Sequence, residues 1–126
     1  MAKVSRNSER TDHGPVLASE TDVDGYTINF VTFKREMDHA PLFKGLPGDS
    51  CQCPHWGYVI EGRLAFRYGD DEEVYEAGDA FYAPPGHVPV AQEGTEYVQF
   101  SPAAELKETS EAIQRNMQRM QGAPQS

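Results

Sequence analysis

The chain has 126 residues, of which 38% are hydrophobic, a lean share for one globular domain with a single core. Twenty acidic against eleven basic residues give a formal charge of −9, which repels phosphate backbones and anionic lipid and argues against nucleic acid and membrane partners. Two cysteines are too few for a disulfide framework, no run reaches the ~18 apolar residues of a membrane span, and the opening lacks the apolar core of a signal peptide. The expectation is therefore a cytoplasmic protein with free thiols.

Residues 1–20 are polar and without pattern, and read as an N-terminal arm. From Tyr26 the stretch "YTINFVTF" alternates and is rich in β-branched and aromatic residues, which predicts a strand. "REMDHAPLFKGLPGDS" is broken by prolines and glycines and predicts a loop. "HWGYVIEG", "LAFRY", "EEVYE", "DAFYA", "HVPVAQ" and "TEYVQF" follow as short strand-like runs bounded by turn residues. In "LAFRY", Leu64, Phe66 and Tyr68 share one face. Strands this short and this closely spaced predict an all-β sandwich or barrel over residues 21–101. Ser101 and Pro102 then look like a hydroxyl cap and a first-turn proline. Leu106, Ile113, Met117 and Met120 fall within one arc at helical spacing, so an amphipathic helix is expected over 102–121, packed outside the barrel or on a partner, with "GAPQS" ending it.

The densest chemistry lies in "CQCPHWGYVIEG", residues 51–62, which holds both cysteines, one of the four histidines and the only tryptophan. Cys51, Cys53 and His55 are two apart and would share one face of a strand. Three readings are open: half of a metal site, a redox pair, or small apolar core fillers beside a satisfied histidine. Neighbouring side chains on one strand face are poorly placed for a disulfide, which weakens the redox reading. The acidic run from Asp70 to Glu73, with Glu36 and Asp38, reads as solvated surface or turn. His13 and His39, in the arm and the loop, could roof a pocket, but no role is assigned to them.

Two stretches resemble the cupins, a family of small double-stranded β-helix proteins. "GDAFYAPPGHVP" reproduces the glycine, five residues, proline, any residue, glycine of the second cupin motif at Gly78, Pro84 and Gly86. "HWGYVIEG" reproduces the end of the first motif at Gly62. The resemblance covers residues 25–101 and implies a jelly-roll barrel with a metal pocket. The metal positions differ from the family pattern. His55 stands where a glutamate is usual, Cys51 and Cys53 lie in the region of the usual His-x-His, and Pro89 takes the place of the second-motif histidine. His87 stands two residues before it, displaced by ~7 Å along a strand on the same face.

Cys51, Cys53, His55 and His87 are thus the candidate metal ligands. Thiolates with imidazoles suit zinc first, with copper or iron as alternatives. A straight strand holds the α-carbons of Cys51 and His55 ~13.6 Å apart, beyond the ~10 Å that the two side chains span around one ion. The chain must then bend near Cys53-Pro54, or begin as loop at Cys51, or use only three of the four. Cys53 is the expected central ligand, within reach of either neighbour on a strand. An open position on the ion favours isomerase, lyase or hydrolase chemistry on a small organic molecule in the barrel. A closed shell favours a structural metal in a binding or sensor module. On the opposite face Trp56, Tyr58 and Ile60 form an apolar stripe that needs cover, so a homodimer is expected.

Overall fold

The computed structural model describes residues 3–6 and 8–121. Ten strands and one helix follow one another: β1 (Thr11–Asp12), β2 (Val16–Val23), β3 (Tyr26–Phe33), β4 (Met37–Asp38), β5 (His55–Glu61), β6 (Arg63–Tyr68), β7 (Asp71–Glu76), β8 (Ala80–Ala83), β9 (Val88–Ala91), β10 (Glu96–Pro102) and α1 (Ala103–Gln121). They form a six-stranded sheet in the order β1-β2-β3-β10-β5-β8 and a four-stranded sheet in the order β4-β9-β6-β7. Every pairing is antiparallel. The two sheets face each other across Val31, Phe33, Val59, Leu64, Phe66, Phe81, Ala83, Ala91 and Tyr97. This is the jelly-roll barrel that the resemblance implies, with the C-terminal helix that the apolar spacing predicts.

Period-two burial explains the strands. In β3, Thr27, Asn29, Val31 and Phe33 are buried while their neighbours are not. Leu64 and Phe66 of β6 likewise point inward. Gly62 turns the chain from β5 into β6 with φ +84°, and a side chain there would meet Thr95 at 2.6 Å. Gly57 has no room for a side chain either, because a Cβ would lie 2.4 Å from the Phe81 ring and 2.5 Å from the Val98 carbonyl oxygen. The loop of residues 34–54 carries β4 and two short 3-10 turns, Ala40–Phe43 and Pro47–Asp49.

Three expectations need correction. The arm does not extend to residue 20, because Val16–Val23 pairs with β3 along its whole length. Its polar residues hid a strand of the larger sheet. Arg6 and Arg10 before it hold Glu96 in ion pairs at 2.7 and 3.2 Å. Ser101 and Pro102 do not start the helix. They end β10, opposite Thr27 and Tyr26, and the serine hydroxyl is spent elsewhere. Finally, Met120 is exposed, so the buried face of α1 runs from Leu106 through Thr109, Ala112, Ile113, Asn116 and Met117. The stretch 122–126, expected to end the helix, lies outside the described residues.

The helix closes one mouth of the barrel. Leu106, Ile113 and Met117 pack on a second cluster of Leu42, Phe43, Cys51 and Cys53. Asn116 fastens the helix to the long loop, its Nδ2 donating to the carbonyls of Leu42 at 2.7 Å and Lys44 at 3.0 Å. The buried face of the helix therefore covers the region that holds the cysteines.

Candidate metal centre

The two motif stretches meet through one isolated antiparallel bridge, Cys51 with His87. The Cys51 amide donates to the His87 carbonyl at 2.9 Å, and the Gly86 amide donates to the Cys51 carbonyl at 2.8 Å. Strand β5 starts only at His55, so Cys51 to Pro54 are not extended along it. This removes the reach limit of a straight strand and brings the Cys51 Sγ to 3.7 Å from the His55 Nε2. His87 joins from the other sheet, its ring centroid 4.9 Å from that of His55. One ligand atom each from Cys51, His55 and His87 lie within 4.8 Å of one another, and all three residues are buried. Neighbouring donors on a tetrahedral zinc sit roughly 3.3–3.8 Å apart, given its usual bond lengths. A small contraction of the group reaches that spacing.

The hydrogen bonds to protein oxygens take the outer nitrogen, Nδ1, of each ring. His87 Nδ1 lies 2.7 Å from the Pro84 carbonyl oxygen, which can only accept, so the proton sits on Nδ1 and Nε2 carries a lone pair. That Nε2 is buried and has no hydrogen-bond partner among the described residues. His55 Nδ1 is held by the Ser101 hydroxyl at 2.7 Å. A ligand imidazole anchored through its outer nitrogen is the usual support of a metal site. The Cys51 sulfur also meets the Thr109 hydroxyl of α1 at 3.3 Å.

Electrostatics keep the group uncharged without an ion. Burial, and secondarily the neighbouring His87, push the His55 pKa down to about 3. Burial also lowers that of His87, against the opposing bond to Pro84. The Cys51 thiol is pushed up by burial, with Thr109 and the Cys53 carbonyl pulling the other way. Neutral imidazoles are ready ligands, whereas the buried thiol gives up its proton only to a compensating cation.

Cys53 behaves differently. It is fully buried, but its sulfur lies 3.5 Å from the Pro54 carbonyl and 3.8 Å from the Pro102 carbonyl, and it is not part of the convergent group. The expected central ligand is thus a neighbour packed beneath α1, its thiol raised to about 12 by burial and then by Cys51 and Glu105. Of the options that chain reach leaves open, the geometry matches a loop start at Cys51 with three of the four candidates converging.

Sequence reasoning missed Ser101 and Thr109. The first was read as a helix cap. Its real role follows from register, since Ser101 ends the run of β10 that opposes the start of β5, where Phe100 pairs with Trp56. Thr109 lies 58 positions from Cys51, and no local pattern signals that contact. Tyr68, read only as one face of a strand, places its ring 6.3 Å from His87 and its buried hydroxyl has no partner among the described residues.

Residues 48–91 match the family model of the cupin domain. No curated protein matches the chain. Among solved structures it is similar to an RmlC-like cupin from Shewanella frigidimarina, at 22% identity and TM-score 0.56 over 80% of this chain and 89% of that one. It is similar to KdgF from Halomonas sp., at 19% identity and TM-score 0.52 over 79% of this chain and 90% of that one. The polyketide cyclase RemF from Streptomyces resistomycificus aligns at 15% identity and TM-score 0.57 over 82% of this chain and 80% of that one. Likeness at these identities speaks for the fold. The matched segment contains both halves of the Cys51–His87 bridge, and the two-sheet barrel built around it has the cupin fold.

Proposed function

We propose that this cupin binds one thiophilic metal ion, zinc in the first place, through Cys51, His55 and His87, and uses it in hydrolase, isomerase or lyase chemistry on a small organic molecule. The observation that carries the reading is the His87 Nε2, an acceptor with no partner among the described residues on a fully buried ring, converging with a thiol and a second imidazole. An orphaned acceptor at such depth costs roughly 1–3 kcal/mol, and a bound cation relieves it. Zinc, when bound by three protein ligands, polarises a carbonyl or activates water at its remaining position. The protein's own part is positional. Pro84 and Ser101 fix the two rings, and α1 shields the group from bulk water through Thr109.

A second reading, a structural ion in a non-catalytic module, is supported by the near-complete burial of Cys51 beneath Thr109. One experiment separates the two. Cobalt-substituted protein should show a thiolate-to-metal charge-transfer band that disappears in Cys51→Ser and weakens strongly in His87→Ala, while Cys53→Ser retains it. Added azide should shift the visible bands if a coordination position is open. Unshifted bands favour the structural ion, and no stoichiometric metal in any preparation rejects both.

The same proposal includes a homodimer through the outer face of the larger sheet. Tyr26, Trp56, Tyr58, Tyr82 and Phe100 are each 43–46% exposed there, an unusually continuous apolar surface. The helix packs at the barrel mouth and leaves these residues uncovered.

A further inference from the structure

Three contacts tie the Cys51–His55 stretch to one continuous segment, the end of β10 and the first turns of α1. The Ser101 hydroxyl lies 2.7 Å from the His55 Nδ1, the Pro102 carbonyl 3.8 Å from the Cys53 sulfur, and the Thr109 hydroxyl 3.3 Å from the Cys51 sulfur. Ser101 and Pro102 belong to a strand paired with β3 and are fixed by the sheet. Thr109 is carried by the helix alone. It is 5% exposed and Cys51 is 1% exposed. Threonine is a weak helix former, and this one stands on the buried face with Leu106, Ala112 and Ile113. Its bond to Cys51 is what compensates the burial of its hydroxyl.

The helix is seated on one side. Its apolar residues pack on Leu42, Phe43, Cys51 and Cys53, and Asn116 bonds to the long loop. Toward β2, β3 and β10 a cleft of about 290 Å³ remains, with the exposed Ser110 and Gln114 of the helix at its rim. The turns around Thr109 therefore depend on the cysteine side for their support.

The strength of that support depends on a proton. A thiol and a hydroxyl can each donate or accept, and between neutral partners such a bond is weak. A cation that replaces the thiol proton leaves a sulfur that only accepts, so the Thr109 hydroxyl must donate. A hydrogen bond to a charged acceptor is roughly twice as strong.

We infer that Thr109 is a positioning residue through which occupancy of the metal group seats α1. The inference rests on the metal reading, since the bond strengthens only when an ion holds Cys51 as thiolate. Zinc at the group clamps the turns around Thr109 onto the barrel, and its loss lets them open locally while Asn116 keeps the far end in place. The helix is thus an element with two seatings, biased by the charge on one sulfur.

Amide hydrogen exchange along α1, with zinc ion as the probe, tests this. Amides of residues 106–113 should exchange about tenfold more slowly in zinc-loaded than in chelator-treated protein, a larger gain than in β3 or β6. Thr109→Val keeps the shape and removes the hydroxyl; it should still take up zinc yet lose the helix-specific gain. Thr109→Ser should restore it. In cobalt-substituted protein the thiolate charge-transfer band should move to longer wavelength in Thr109→Val and return in Thr109→Ser, a response that packing alone does not produce. Equal gains in helix and strands, a helix gain that survives Thr109→Val, or an unmoved band would overturn the coupling. Any of these results in protein that binds zinc leaves the metal reading standing, whereas absence of zinc uptake by the parent chain overturns both. The comparison of helix with strands in the parent chain decides the matter even where a variant fails to fold.

Discussion

At the level of single residues, His39 shows how burial turns a common side chain into a pH-sensitive one. Its Nδ1 donates to the Pro89 carbonyl at 3.0 Å, and its ring packs on Phe33 and Phe43. Burial holds its pKa near 4, with Pro89 and Asp38 opposing and His87 adding to the effect. The folded state therefore takes up this proton less readily than the unfolded one. Stability should fall as pH drops below the ordinary imidazole value of about 6.5, and the loss should be complete near 4, worth about 3 kcal/mol. His39→Gln keeps a donor for Pro89 and removes the titration. Its unfolding free energy in urea should vary less between pH 7 and pH 4.5 than that of the parent chain, and identical pH slopes would count against the assignment. The sequence placed His39 in a loop near a pocket but gave no sign of its burial. That Cys51, His55 and His87 lie near one another was legible because each sits at or near a motif position. Which of the four candidates stands apart was not, because strand periodicity does not say where the loop before β5 turns Cys53 away.

At the level of elements, the helix was legible and its destination was not. The apolar positions Leu106, Ile113 and Met117 predict an amphipathic segment, yet nothing in their spacing says whether it covers a sheet face or a barrel mouth. Polar residues decide it. Asn116 and Thr109 lie on the buried face because each has a partner on the loop before β5. Asn116→Ala leaves the Leu42 and Lys44 carbonyls without their donor and should cost about 2 kcal/mol in urea unfolding. A change within error would mean that the apolar contacts alone seat the helix. Strand β2 was missed for the complementary reason. "VLASETDV" lacks the alternation of a half-buried strand, since Ser19 is its one buried residue, and cross-strand bonding to β3 rather than hydrophobic pattern holds it.

For the whole molecule, the larger sheet presents its outer aromatic face in an ordered row. Tyr26 and Trp56 lie 6.5 Å apart, and Trp56 and Tyr82 5.1 Å, by ring centroids. Sedimentation at micromolar concentration should give a dimer, and Trp56→Glu, which places a charge at the middle of the row, should give a monomer with unchanged circular dichroism. A monomeric parent chain with a freely quenched tryptophan would refute the pairing. The smaller sheet ends very differently. Strand β7 is its last member on one side, six residues long and unpaired beyond β6. Four of its six residues, Asp71, Glu72, Glu73 and Glu76, are acidic and exposed. An open strand of that length is a template on which another chain can add, and a row of like charges stops it by repulsion. The acidic surplus of the sequence thus acts locally as protection against fibre-like growth. Replacing Asp71 and Glu72 by threonine and valine should leave the fold intact yet produce concentration-dependent thioflavin-positive aggregates that the parent chain does not form.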